Sequence, residues 1–227
     1  MNRAIETVCF VILAFSAVTQ VDKPQEIVVK PALLIALTFD DGPNLKITPM
    51  ILDALKEQGI KATFFVVGEA AVKHPELMVR LNAEGYEIGN HTWSHRQLVK
   101  LDVKSVADEI EKTNQVIIKY GNVFLFRPSY GDYNATVKKT ADGLKLQTVT
   151  WTLDSHDYRG FSPAYLARGV VAMAEANDIV LFYDVHLNTA QALPAIISDL
   201  KQRGFKFVTV SELLATGNKL AKDKEVN

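Results

Sequence analysis

Two hydrophobic rhythms alternate along this chain. Leu33 to Leu37 is an unbroken apolar run, as in a strand buried on both faces, and Gly42-Pro43 ends it with turn chemistry. Beyond it Met50, Ile51, Leu52 and Leu55 recur at helical spacing, with Thr48 placed as N-cap, Pro49 in the first turn and Gly59 at the close. The same alternation continues downstream. Strands are expected at Ala62 to Val67, Tyr86 to Gly89, Val123 to Phe126, Leu146 to Trp151, Ile179 to Phe182 and Phe205 to Val210. Between them, helices are expected from His74-Pro75 to Gly85, over Asp102 to Tyr120 and Ala135 to Leu144, from Ser162-Pro163, and over Thr189 to Arg203. A last helix is capped by Ser211-Glu212. Seven strands separated by helices predict an α/β fold with a parallel sheet inside, closed as a barrel or open and doubly wound. No Gly-x-Gly-x-x-Gly follows the first strand, which counts against a dinucleotide-binding sheet and favours a single barrel-like domain.

Composition narrows the partners. With 48% hydrophobic residues in 227, the chain can bury one good core. Its 25 basic and 26 acidic side chains form no single-sign block before the short tail from Lys219 to Lys224, so a nucleic-acid partner is not expected. At the N-terminus, Asn2 and Arg3 precede the apolar run Val8 to Val18, which holds the only cysteine, Cys9. That run is about half the roughly 20 residues a bilayer span needs, so a secretory signal peptide is expected rather than a stable membrane span. The expected organisation is a signal segment at 1–20, a short extension at 21–32, one catalytic domain at 33–216 and a charged tail at 217–227. Export to a periplasm, cell envelope or medium follows, for a chain expected to be a monomer.

The candidate chemistry gathers where strands end. Asp40 and Asp41 are adjacent carboxylates at the lip of the first strand, where α/β folds collect catalytic groups and where packing gives no reason for charge. His91 and His95 follow the third strand; four apart, they face the same way on one helical turn and can grip a metal, with Asp41 as a third ligand. Two imidazoles and a carboxylate leave coordination positions open, the pattern of a catalytic site; zinc is the default for hydrolysis, and the same set also suits iron. Singly, such histidines are as often ordinary turn residues, and it is the neighbouring Asp pair that favours a metal. Arg127 follows the fourth strand and can hold a carboxylate by bidentate hydrogen bonds, or simply bridge two loops. Asp154, His156, Asp157 and Tyr158 follow the fifth strand, and Tyr183 and His186 the sixth; a strand-end His186 is a natural general acid, though alone such a histidine is more often a surface residue.

Five ordered motifs, TFDDGP at 38–43, HTWSH at 91–95, RPSYG at 127–131, DSHDY at 154–158 and LFYD at 181–184, resemble those of NodB-like polysaccharide deacetylases, the fourth carbohydrate esterase family. These enzymes remove N-acetyl or O-acetyl groups from peptidoglycan, chitin or xylan. The resemblance spans Leu33 to Leu214 and implies a distorted (β/α)7 barrel, the NodB homology domain. It further implies that Asp40 is the general base and that Asp41, His91 and His95 hold one divalent ion, zinc first, with cobalt or another as alternatives. Arg127 would hold Asp40, and Asp154 or Asp157 would hold Arg127 or the general acid. Pro128, Tyr130, Tyr158 and Leu181 would line the substrate pocket, Tyr130 through its backbone N–H as an oxyanion donor. Two positions depart from the family: Tyr158 replaces a tryptophan wall, and Tyr183 replaces the histidine that protonates the leaving group. Tyr183 itself, His186 or His156 are the candidate acids, and an impaired, glycan-binding relative is a further alternative. The expected reaction is removal of N-acetyl groups from N-acetylglucosamine in peptidoglycan first and chitooligosaccharide second, with O-acetyl esterase activity as the runner-up.

Overall fold

Strand β1 (Leu33–Asp40) is the centre of the molecule, and its alternating side chains divide the protein into two apolar layers. The structure, a computed structural model, describes residues 32–216. The expected signal segment at 1–20, all but the last residue of the extension at 21–32, and the tail at 217–227 lie outside the described residues. Ile35, Leu37 and Phe39 point outward into a core shared with α1 (Ile47–Glu57) and α7 (Leu187–Gln202), where Phe39 stacks on Phe64 and Phe182 at 4.9 and 5.7 Å between ring centres. Ala36, Thr38 and Asp40 point the other way, as the two-residue period of a strand requires.

The sheet is parallel throughout, with the order β5-β4-β3-β2-β1-β7-β6 and β8 added to β1, so it contains eight strands. The strands are β2 (Thr63–Val66), β3 (Glu87–Asn90), β4 (Leu125–Phe126), β5 (Gln147–Thr148), β6 (Leu153–Asp154), β7 (Asp178–Tyr183) and β8 (Phe205–Phe207). The path ends at β5 and β6 without closing, giving a curled, incomplete barrel wrapped by helices. This is the expected distorted barrel with one strand more than the seven anticipated. The extra one, β6, has two residues, and its place comes from pairing Leu153 and Asp154 with Val180 and Leu181 of β7 rather than from any pattern of its own.

The inward side chains form a second core. Ala36, Phe65, Leu125, Val149 and Ile179 meet Val210 and Leu213 of α8 (Val210–Ala215), which closes the end of the barrel opposite the candidate site. Thr209 caps α8 in a capping box with Glu212, two residues earlier than the Ser211 expected, so the last strand ends at Phe207 and not Val210. α8 is tied to the sheet by Val210 N–H donating to Thr63 Oγ1 and Ser211 N–H to Glu87.

Other boundaries also moved. β1 continues through Asp40 instead of stopping at Leu37. Thr48 lies inside α1 and caps nothing; its hydroxyl donates to Asp184 Oδ2 at 2.6 Å, and Asn44 Oδ1 takes the first backbone N–H groups. A short helix, α2 (Gly68–Lys73), precedes α3 (Pro75–Ala83). The expected caps hold at α4 (Val103–Ile117), where Asp102 accepts from Ser105 N–H, and at α6 (Pro163–Met173), capped by Ser162. Asn134 caps α5 (Ala135–Gly143).

Candidate active site at the open end of the barrel

Above the apolar plug, the interior turns polar one residue at a time. Arg127 follows β4, is fully buried, and lays its guanidinium 4.0 Å over the Phe65 ring. Its Nη1 donates both to Thr38 Oγ1 at 2.7 Å and to Asp40 Oδ1 at 2.8 Å, while Nη2 and Nε reach the carbonyls of Thr150 and Val149. The grip on Asp40 is therefore single, not the bidentate one expected, because the other donors are committed to backbone carbonyls. Asp40 is buried, and burial pushes its carboxyl up; Arg127 and then His91 oppose this without cancelling it.

The chain then turns sharply. Asp41 takes a left-handed conformation at φ 75°, so its side chain leaves the strand's alternation and faces the same cleft as Asp40. Gly42 beside it must be glycine, because a Cβ there would fall 2.0 Å from Asp184 Oδ2. Asp184 N–H in turn donates to the Asp40 carbonyl at 3.1 Å, tying the end of β7 to the Asp pair.

His91 and His95 reach the cleft by a route the spacing did not reveal. Residues 91–97 are not helical; Thr92 and His95 hold left-handed φ values of 68° and 56°, and this irregular loop, not a helical turn, points both rings the same way. His91 Nδ1 donates to the Arg127 carbonyl at 2.7 Å, which fixes the tautomer and turns a bare Nε2 inward. Nε2 of His91 and of His95 lie 3.3 and 3.2 Å from Asp41 Oδ1. That oxygen is buried without a hydrogen bond, and the three donor atoms lie within 4.8 Å of one another. Three ligand atoms facing one point, one of them an otherwise unpartnered buried carboxylate oxygen, fit a divalent cation. Burial pushes Asp41 up, but the His91 imidazole beside it, with the charges of His95 and His186, outweighs that and leaves Asp41 below the usual range.

The cleft over this triad has a volume of about 380 Å³ and is walled by Tyr130, Gly131, Trp151, Asp154, Tyr158, Tyr183 and His186. Tyr130 and Tyr158 thus stand where a substrate wall was expected, and Tyr130, at φ 63°, lays its ring 4.6 Å from that of His95. Pro128 and Leu181 are buried beneath the lining rather than on it. Trp151 is a wall the sequence reading missed; an aromatic at the end of an expected strand was its only signal.

Asp154 and Asp157 do not bind Arg127. Asp154 accepts from His156 N–H at 2.8 Å and lies 3.1 Å from His156 Nδ1. Asp157 Oδ2 accepts from Tyr183 N–H and Thr189 Oγ1, while its buried Oδ1 has no partner. Tyr183 and His186 pack at 5.8 Å between ring centres, both at the cleft, and His186 immediately precedes α7. Burial, reinforced by Asp40, Asp41, Asp154 and Asp157, pushes the Tyr183 phenol far above its ordinary value.

Comparison with known proteins agrees with this geometry. The family profile of polysaccharide deacetylase matches residues 29–149. The peptidoglycan-N-acetylglucosamine deacetylase PgdA of Listeria monocytogenes is 38% identical over 193 residues, covering 84% of this chain and 40% of its own length. A peptidoglycan-N-acetylglucosamine deacetylase of Bacillus cereus is 37% identical over 187 residues, covering 80% of this chain and 88% of its own. Among solved structures, the peptidoglycan deacetylase PdaC from Bacillus subtilis superposes with a TM-score of 0.77 at 36% identity, over 82% of this chain and 92% of that one.

Proposed function

Because the chain belongs to the polysaccharide deacetylase family, we propose that it hydrolyses N-acetyl groups from N-acetylglucosamine residues of a cell-wall glycan, peptidoglycan first and chitooligosaccharide second. The observation that carries this is the convergence of Asp41, His91 and His95 beside the buried, arginine-held Asp40. Asp41 Oδ1 and the two Nε2 atoms would hold one divalent ion, zinc by preference, which when bound supplies Lewis acidity toward water and toward the acetyl carbonyl.

The protein's own groups divide the remaining work. Asp40 takes the proton of the attacking water, and Arg127 opposes the effect of burial so that a carboxylate is available to do so. The Tyr130 peptide N–H faces the acetyl carbonyl oxygen as negative charge develops there. The leaving amine then needs a proton, and three side chains compete to give it. Tyr183 is disfavoured, because a phenol pushed above its ordinary value of about 10 is a poor donor at neutral pH. His156 lies outside the cleft lining and is engaged by Asp154 and the Tyr158 hydroxyl. His186 lines the cleft, its ring 5.8 Å from that of Tyr183. We therefore assign the proton donor to His186.

The proposed substrate suits export: the leader at 1–20 would deliver the domain at 33–216 to the cell envelope as a monomer. Among the described residues no helix is long and apolar enough to cross a membrane. The deciding measurement is acetate release from purified peptidoglycan and from N-acetylglucosamine oligomers, with metal content determined on the same protein. Release that is lost on chelation and restored by zinc is expected; no release from either polymer by metal-loaded protein overturns the reading. In the same assay His186→Ala is expected to slow turnover by about 10²–10⁴ and Tyr183→Phe far less; the reverse ranking moves the acid to Tyr183.

A further inference from the structure

The loop that carries both histidines is held from outside by one acidic residue. Glu109, on α4, is 7% exposed, and its carboxylate accepts three hydrogen bonds, all from that loop: Trp93 N–H at 3.0 Å and Ser94 N–H at 2.9 Å on Oε2, and Ser94 Oγ at 2.7 Å on Oε1. Among the described residues Glu109 forms no ion pair, so these loop donors are what its buried charge serves. We propose that Glu109 is the positioning residue for the metal ligands, its carboxylate holding residues 91–95 in the conformation that brings His91 Nε2 and His95 Nε2 together on Asp41. The inference rests on the reading of Asp41, His91 and His95 as a divalent-metal site.

The reason such a clamp is needed lies in the backbone. Thr92 and His95 both occupy the left-handed region at φ 68° and 56°, which disfavours side chains other than glycine and which a loop keeps only when its surroundings impose it. Trp93 and Ser94 lie between these two residues, and it is their N–H groups that Glu109 binds. A charged acceptor makes the stronger kind of hydrogen bond, and two adjacent N–H groups on one oxygen fix the direction of the peptide between them. α4 grips the other end of the loop as well. Asn90 Nδ2 donates to the Ile110 carbonyl and to Asn114 Oδ1, while Asn90 Oδ1 accepts from Thr92 N–H at 2.8 Å. The Thr92 hydroxyl then accepts from His95 N–H at 3.1 Å, carrying the constraint to the second ligand. Glu109 touches no ligand atom and acts on the ligands through the loop's hydrogen bonds, an effect that a change of its charge alone, felt directly at His95, would not reproduce.

The test titrates the full chain, freed of metal, with zinc alone, and records the unfolding midpoint of each ion-free variant. Glu109→Ala is expected to weaken zinc binding by about 10–100-fold and also to lower the ion-free midpoint, since the Trp93 and Ser94 N–H groups lose their acceptor. Glu109→Gln keeps a carbonyl for the two N–H groups and an amide that can donate to Ser94 Oγ, so it is expected to retain most of the affinity. Zinc binding by Glu109→Ala as tight as wild type overturns the proposal, and so does an equal loss in Glu109→Gln. Should Glu109→Ala not fold, Ser94→Ala removes one of the three bonds without altering α4; a smaller loss of affinity supports the proposal and none overturns it. A wild-type chain that binds no zinc overturns the metal-site reading instead.

Discussion

At the scale of single residues, the site is built from carboxylates in unequal surroundings. Asp40 and Asp41 are neighbours in sequence and share His91, yet the largest opposing charge on Asp40 is a buried guanidinium while Asp41 faces only imidazoles. Asp184 is the third member and, among the described residues, forms no ion pair. It is buried, accepts only the Thr48 hydroxyl on one oxygen and leaves the other unpartnered, and burial, with Asp41 and Asp40 adding to it, pushes its carboxyl up to about 7. A carboxylic acid whose pKa is higher folded than unfolded favours the folded state fully below its unfolded value of 3.8, and that contribution is lost as pH rises through about 7. At about 1.4 kcal/mol per pH unit, the full loss amounts to about 4 kcal/mol. Asp184→Asn mimics the protonated form at every pH. Urea unfolding of metal-free protein at pH 4 and pH 8 should therefore show the asparagine variant gaining on wild type by up to that amount at the higher pH. An equal difference at both pH values would show that Asp184 does not titrate in this window.

At the scale of elements, the sequence made visible what is periodic and hid what is held by distant contacts. The apolar run of β1, the capped starts of α4 and α6 and the carboxylate pair at a strand end carry local signals, and the structure keeps all of them. Thr48 shows a good local signal overruled, since a threonine before proline reads as a cap until Asp184, 136 residues away, claims its hydroxyl. The histidine pair was legible as a pair but not in its geometry, because no spacing rule separates a helical turn from a loop with two left-handed residues. Glu109 was invisible as a functional residue: within a helical pattern it is one charge among several, and its loop partners lie 15 and 16 residues earlier with no motif linking them. The loop also depends on α2. Gly68 N–H donates to the Thr92 carbonyl, and a Cβ on Gly68 would meet Trp93 at 2.5 Å and Thr113 Oγ1 at 2.7 Å. Gly68→Ala should therefore cost about 1–3 kcal/mol through overpacking and weaken zinc binding by displacing the loop. Unfolding and zinc titration of the same variant measure both; unchanged values for each would mean that α2 can recede without disturbing the ligands.

At the scale of the whole molecule, the incomplete barrel works as a graded column. Leu213 and Val210 of α8 seal one end; Ala36, Phe65, Leu125, Val149 and Ile179 form an apolar layer above them; Arg127 rests on Phe65; Asp40 rests on Arg127; and the triad of Asp41, His91 and His95 opens to the cleft. The ordering has a physical reason, because a buried guanidinium is tolerated only where its donors are satisfied, and here Thr38, Asp40 and the carbonyls of Val149 and Thr150 satisfy them while the Phe65 face lies against its plane. Leu213 is 2% exposed in that plug, so Leu213→Ala should open a cavity and cost about 2–5 kcal/mol. For a domain of this size that corresponds to a fall in unfolding temperature on the order of 4–20 °C. The catalytic end should respond differently, since Arg127 is fixed by the carbonyls of Val149 and Thr150 and by Thr38, none of which belongs to α8. Turnover by Leu213→Ala, measured well below its unfolding temperature, is accordingly expected to stay near wild type while its thermal stability drops. A matching collapse of turnover at a temperature where the variant remains folded would instead show that the plug sets the height of Arg127, and through it the orientation of Asp40.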